Sequence, residues 1–406
     1  MAYQNLKSDF RPSSGESPFA LNEILYSRTD SRGVIQAGNE VFRRVSHFDW
    51  PELLNAPHKI TRHPDMPHGV FWLIWDRLQK GESIGAYVKN QAKDGLHYWV
   101  YASIAPCEDG FASARVKPTS ALFKQVQDLY AELLEAEEAE ELSPEASAGR
   151  LQARLKDLGF PDYDIFAAAA MTEELKARDA GLGQTADPKL VRYATLRNAA
   201  ETLSDDTASL ISTFHQMRTI PHNMQVIASR LEPSGGPVST LSQNYGSISR
   251  EMSEWFQDNI AQDNNSFVAI QGTMSNAMYY DSIIRMLQEC DQQLSSDPNT
   301  ADGFDIDKER KCLNEVRGLY QRRMREEMSL VREEAEHIMR TCDTMNRHVT
   351  GLSSTRILAK IEAGRIQNAG EGLGDIIVQL GKFQNRISDK LNEIAGKSET
   401  ILKLIE

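Results

Sequence analysis

Between residues 57 and 100 the chain gathers side chains suited to holding a flat, charged ligand. The stretch Arg62-His63-Pro64-Asp65-Met66-Pro67 sets two cations and a carboxylate among prolines. Proline removes a backbone donor and restricts the residue before it, so this stretch is a rigid loop rather than helix interior. Arg62 offers a planar donor fork that matches phosphate, and His63 is a second cation. Phe71 and Trp75 follow four residues apart, on one helix face, where they can stack on a planar ring. Asn39 and Asn90 supply amides that can satisfy the polar edges of a buried ligand, and the aromatic run Tyr98-Trp99-Val100 forms a further wall. The same residues have structural readings. The Arg62–His63 pair can cap the next helix or pair with Asp65, Asp65 can cap a helix starting near Pro67, and Phe71 and Trp75 can be ordinary core.

The elements that must position these residues are short. Strands are expected at residues 24–30 and 34–37, with small helices at 39–45 and from Trp50, and an apolar helix at 71–78. Three further strands follow at 83–89, 97–105 and 110–117, separated by the turns Lys80-Gly81 and Asp94-Gly95. The expectation is an α+β domain, a five-stranded antiparallel sheet with short helices, over residues 18–120 behind a flexible arm at 1–17. Residues 121–187, rich in Glu, Ala and Leu, read as a helical linker.

From residue 188 on, apolar residues recur in steps of three and four. Leu196, Leu203, Leu210 and Phe214 form one run, Tyr245 and Met252 continue a second, Val331 to Leu352 a third and Leu373 to Ile405 a fourth. Bends are marked at Glu232–Pro237, Ser296–Asn299 and residues 364–374. The expected architecture for 188–406 is an all-α, long-helix antiparallel four-helix bundle made of two hairpins, 188–295 and 305–406.

Composition bounds the function. The chain has 406 residues and a net charge of −13, which argues against nucleic-acid partners. Cys107, Cys290, Cys312 and Cys342 make no CxxC pair and no metal-ligand spacing. No apolar run approaches the ~20 residues of a membrane helix. No phosphate loop, nucleophile triad or HExxH motif stands in the sequence, so no catalytic or metal site is expected and the chain reads as non-enzymatic.

The order of the N-terminal signals resembles a PAS domain, specifically the sensor of the flavin-binding aerotaxis receptor family. Thr29-Asp30, Ile35, Asn39, Phe42, Pro57-His58, Arg62 to Pro67, Phe71, Trp75, Gly81, Val88-Lys89-Asn90, Lys93-Asp94-Gly95 and Tyr98-Trp99-Val100 carry it, over about residues 20–118. The resemblance implies bound FAD, with Asn39, Arg62, His63, Asp65, Phe71, Trp75, Asn90 and Trp99 at the flavin site. Haem is the alternative cofactor, with His58, His63, His68 and His97 as candidate ligands. Cys107 ends a strand, whereas a light-driven flavin adduct needs a cysteine beside the ring on a helix.

The later helices distantly resemble the cytoplasmic tip of methyl-accepting chemotaxis receptors, through Ile220 with Val226-Ile227-Ala228 and Ile361-Glu362-Ala363-Gly364-Arg365 with Gly370-Glu371. Pro221 and Pro233 depart from that pattern, and no clear methylation site stands out. Together these features imply a soluble cytoplasmic sensor of redox state or oxygen. It would pass a signal through its helices to a protein partner, such as a chemotaxis component, with self-association through the PAS domain. The alternative is a scaffold whose PAS domain only mediates protein contacts.

Overall fold

The structure, a computed structural model, describes residues 11–185, 187–217, 219–230, 236–256, 266–297, 304–365 and 371–405. Glu232 to Gly235, Pro298, Asn299 and Gly370 lie outside them, as do the side chains of Ile220, Pro221 and Ala228. The chain forms two compact units. The first comprises Met1–Leu190 with Ser275–Glu326, and the second Val191–Met274 with Glu327–Glu406.

The first unit is built on β1 (Leu25–Thr29), β2 (Ile35–Gly38), β3 (Ile84–Gln91), β4 (His97–Cys107) and β5 (Gly110–Val116). They form one antiparallel sheet in the order β2-β1-β5-β4-β3. On one face lie α1 (Glu40–Ser46), α2 (Trp50–Leu53), a 3-10 turn at His58–Thr61 and α3 (His68–Gln79). The turn from β1 to β2 closes on Asp30, whose carboxylate accepts from the backbone N–H groups of Arg32 and Val34. Gly33 there has φ +78°, and a Cβ would meet the Trp75 ring at 2.8 Å, so the site requires glycine on both counts. At the start of α3, the Glu137 carboxylate accepts from the backbone N–H groups of His68 (3.0 Å) and Gly69 (3.2 Å), where the helix dipole favours negative charge.

Side chains alternate across a strand, so Tyr26, Arg28, Tyr87, Trp99 and Tyr101 point away from α1–α3. This outer face is covered. The helices α4 (Ala121–Ala139) and α6 (Tyr163–Gly181) lie over β3 and β4, while α5 (Pro144–Asp157) packs on α3. Phe123 lies between Tyr87 and Trp99, with ring centroids 5.5 and 5.3 Å away. Tyr101 donates to the Ala167 carbonyl at 2.6 Å. Buried Glu174 accepts from Tyr87 at 2.8 Å and from the backbone of Thr119 and Ser120. Residues 121–187, read from sequence as a linker, thus supply much of the sheet's cover.

The rest of that cover comes from far along the chain, in the C-terminal part of α10 (Ser266–Leu294) and the start of α11 (Ile306–Arg365). Arg178 pairs with Glu289 at 2.7 Å, and Asp179 with Arg285. Tyr279, Ile283, Met286, Leu313, Val316 and Tyr320 are buried in the same apolar cluster as the sheet. The sequence reading put this stretch in the two hairpins. The structure groups it with the sheet, because its tyrosines and aliphatic residues match an outer face rich in aromatics.

The second unit is made of long helices, with α7 (Pro188–Met217), α8 (Thr219–Arg230), α9 (Gly236–Phe256) and α12 (Glu371–Ile405) beside parts of α10 and α11. The heptad residues Leu196, Leu203, Leu210, Val331, Ile338, Met345, Leu380, Ile387, Leu391 and Ile394 are buried. Asn346 bonds Asn392 and Ser353 bonds Gln384, a descending register that makes α11 and α12 antiparallel. Lys390 and Lys397 of α12 both reach Asp206 of α7. Val226 and Ile361, from the distant receptor-tip resemblance, are exposed. Among the described residues no helix is long and apolar enough to cross a membrane.

Candidate functional site

Between the sheet and α3 lies a cavity of about 720 Å³. β1, β4 and β5 contribute its floor through Ser27, Thr29, Ala102, Ile104, Ser113 and Arg115. The period of two that turns Tyr26, Arg28 and Tyr101 outward turns these residues inward. α3 contributes Phe71, Trp72 and Trp75, and the 3-10 turn contributes His58 and Thr61. Trp75 is partly exposed at the mouth and sets its ring edge-on to Phe111 at 5.9 Å. Arg62 lies over the Phe71 ring, 4.1 Å from its centroid. Burial holds the Arg62 guanidinium below its ordinary pKa.

Among the buried lining residues is a cluster on Arg115. Its Nη2 donates to Ser27 Oγ at 2.7 Å and to His58 Nε2 at 2.8 Å. His58 accepts at Nε2 and is therefore neutral. Burial first, and then the Arg115 charge, hold its pKa down at about 3. Burial also lowers the Arg115 pKa to about 10. Arg115 is 5% exposed, its Nη1 has no hydrogen-bond partner, and its hydrogen bonds among the described residues go to Ser27 and His58 and not to a carboxylate. The Ser113 hydroxyl is likewise buried without a partner. A buried cation carries a large desolvation cost unless something anionic or strongly accepting meets it. Arg115 and Ser113, both among the lining residues, thus each carry a buried donor without a partner. Arg32, Lys59 and Arg62 add positive charge among the lining residues, against the carboxylate of Asp76.

Four of the eight residues anticipated from sequence, Arg62, Phe71, Trp75 and Asn90, line the cavity. The other four do not. Asn39 caps α1: its Oδ1 accepts from the backbone of Tyr26 and Phe42, and its Nδ2 donates to Ile24 O. Trp99 is on the outer face against Phe123 and Tyr130. His63 accepts from the Asp65 backbone N–H at 3.0 Å, and the Asp65 carboxylate pairs with Lys89 at 2.8 Å, so both are engaged beside the cavity. Of the histidines considered as haem ligands, His58 and His68 line the cavity. His58 has its Nε2 committed to Arg115, and His68 lies 3.2 Å from Glu137. No cysteine lines the cavity. No cluster of metal-ligating side chains occurs among the described residues.

Sequence reasoning passed over Arg115, Ser113 and Ser27. The signal was present: Ala112, Ser113, Ala114, Arg115 and Val116 alternate small apolar with polar, and Arg115 falls on the polar phase.

No family profile matches the chain. Over 119 residues it is 38% identical to the aerotaxis receptor of Escherichia coli (strain K12), a match covering 28% of this chain and 24% of the receptor. The match thus spans about a quarter of that relative's length. A solved structure described as "Flavin Analogue Sheds Light on Light-Oxygen-Voltage Domain Mechanism" is 19% identical, covers 29% of this chain and 87% of its own, and has a TM-score of 0.22.

Proposed function

We propose that this chain, whose N-terminal part is a PAS sensor domain of the aerotaxis receptor family, is a non-enzymatic sensor of redox state or oxygen that binds FAD in the cavity beside α3. The observation that carries this reading is a 720 Å³ cavity lined by Phe71, Trp75 and Asn90 together with the cations Arg32, Lys59, Arg62 and buried Arg115. Bound there, a flavin supplies a planar ring whose charge and hydrogen bonding change when it is reduced. Trp75 and Phe71 provide apolar walls for such a ring, and Asn90 a polar contact. Arg115 would supply positive charge at the cavity floor, while Arg62, Lys59 and Arg32 would suit a diphosphate.

The protein's own residues convert a change in the cavity into a change outside it. Arg115 holds Ser27 and the neutral His58, and Ser27 is the middle residue of β1. Its two neighbours, Tyr26 and Arg28, both bond Glu309 of α11 on the opposite face. A shift of Arg115 toward or away from Ser27 reaches α11 through one strand. The helices then present the altered state to a protein partner, with chemotaxis components the class that the receptor relative suggests.

The test is the colour and extractable cofactor of the full-length protein. Flavin absorption with released FAD is expected, and Arg115→Ala or Arg62→Ala is expected to lose most of it while circular dichroism stays unchanged. A Soret band would move the assignment to haem. Colourless wild type that does not take up added FAD would support a scaffold function.

A further inference from the structure

A second cavity, of about 220 Å³, lies within the first unit, where the end of α3 and the start of β3 meet α6, α10 and α11. Its lining includes Arg77, Ser83, Gly85, Asp164, Tyr279 and Arg323. Three phenols converge on Gly85. Tyr163 donates to the Gly85 carbonyl at 3.1 Å, and Tyr101 donates to the Ala167 carbonyl at 2.6 Å. The third, Tyr279, comes so close that a Cβ on Gly85 would stand 3.0 Å from its oxygen. Ser83 lies beside Tyr320 and Tyr279 beside Ser103, yet neither pair reaches hydrogen-bonding geometry. The hydroxyls of Ser83, Tyr279 and Tyr320 are thus all buried without a partner. Burial holds the Tyr279 pKa well above its ordinary value, so the phenol keeps its proton and can donate. Both lining carboxylates, Glu82 and Asp164, pair with Arg77 and neither with Arg323. The two are half-exposed, so the cavity opens to solvent beside them.

We propose that this cavity is a second ligand site, which takes a small carboxylate bound by the Arg323 guanidinium and the Ser83 and Tyr279 hydroxyls. A buried hydroxyl left unmet costs free energy, and an oxygen acceptor removes that cost. One ordered water needs only ~10–15 Å³, so the space calls for a larger occupant. It is also below the ~300–1,000 Å³ of drug-sized pockets, so the occupant is small. A planar carboxylate matches the fork of a guanidinium and accepts at both oxygens. Ile84 and Ala167 give its hydrocarbon part an apolar wall. Arg77 and Arg323 together balance Glu82 and Asp164, so the anion meets no net negative charge in the lining. Bound, the acid ties the edge strand β3 to α10 and α11, which cover the sheet. α3 lines both cavities, through Trp75 in the first and Arg77 in the second, so the acid is a second input to the same helices.

This inference does not depend on the cofactor assignment. The test titrates the full-length protein calorimetrically with propionate, pyruvate and benzoate in a buffer free of carboxylates. Saturable one-to-one binding of at least one acid is expected, with none for propionamide or benzamide. Arg323→Gln and Tyr279→Phe should each weaken that binding about tenfold or more, the worth of a charge-assisted hydrogen bond. Tyr279→Phe removes a hydroxyl without a partner, so it should melt no lower than wild type. Hydrogen exchange should slow in residues 82–87 and 276–284 when the acid is bound. Slowing confined to residues 57–62 and 111–116 would place the acid in the first cavity and overturn the proposal. Amides that bind as tightly as the acids, or wild-type affinity in both variants, would overturn it too. So would no binding of any of the three acids, and a lower melting temperature for Tyr279→Phe would then assign the hydroxyls to an ordered water.

Discussion

Arg28 and Glu309, 281 positions apart, form a two-pronged ion pair that is almost fully buried. Arg28 Nη2 reaches Oε1 at 2.8 Å and its Nε reaches Oε2 at 2.9 Å, while the Tyr26 hydroxyl donates to the same carboxylate at 2.7 Å. Burial first, and then this carboxylate, raise the Tyr26 pKa, so the phenol remains a donor. The contact joins the first strand of the sheet to the first turn of α11.

Breaking half of such a pair leaves a buried charge without a partner, at a cost of roughly 3–5 kcal/mol. Glu309→Ala is therefore expected to raise hydrogen exchange in β1 and in residues 306–316 by that much in opening free energy. The double change Arg28→Met with Glu309→Leu should cost less than either single change, since neither charge remains. Equal exchange in wild type and Glu309→Ala would show that the pair does not hold α11 to the sheet.

His58 sets a pH dependence. Its pKa is held at about 3 in the folded protein against an ordinary 6.5. Above pH 6.5 both folded and unfolded chains keep it neutral and it has no effect. Below that, the unfolded chain takes up a proton that the folded chain refuses. Stability is then lost by about 1.4 kcal/mol per pH unit as the pH falls from 6.5 toward 3. Urea titrations of the cofactor-free protein at pH 7 and pH 5 should differ by about 2 kcal/mol from this source, and His58→Gln should remove that part of the difference.

Asn39 separates a cap from a ligand contact. Its amide is spent on three backbone groups that join the start of α1 to β1. Asn39→Ala is expected to destabilise the first unit by about 1–2 kcal/mol, the usual loss for a cap. Cofactor retained per folded molecule should not change. A selective loss of cofactor at unchanged stability would instead place Asn39 in the binding site.

Much of the sheet was legible because short strands between Gly, Asp and Asn turns leave few alternatives. Arg62, Phe71, Trp75 and Asn90 were legible as cavity residues because helical and strand spacing brings them to one side. Trp99 was misplaced by one step of the strand period: Tyr98 and Val100 face inward, so Trp99 cannot. Asn39 stands directly before Glu40 and α1, which is the position of a cap. The docking of Ser275–Glu326 was not legible. Its apolar spacing is that of any long helix, and only the aromatic outer face of a distant sheet selects it. Arg115 was passed over because a lone arginine in a strand usually reaches solvent.

The cover of the sheet's outer face also sets a timetable. When residue 120 leaves the ribosome, Tyr26, Arg28 and Tyr101 have no lid. Residue 309, which neutralises Arg28, follows only after the intervening chain has been made. At ~5–20 residues per second that interval is on the order of ten seconds or more. Phe123 and Ala167 reach Tyr87, Trp99 and Tyr101 early in that time, but Arg28 stays unpaired and Tyr26 uncovered until its end, a surface that chaperones bind and aggregates share. A release of the chain before Glu309 leaves that surface open for good.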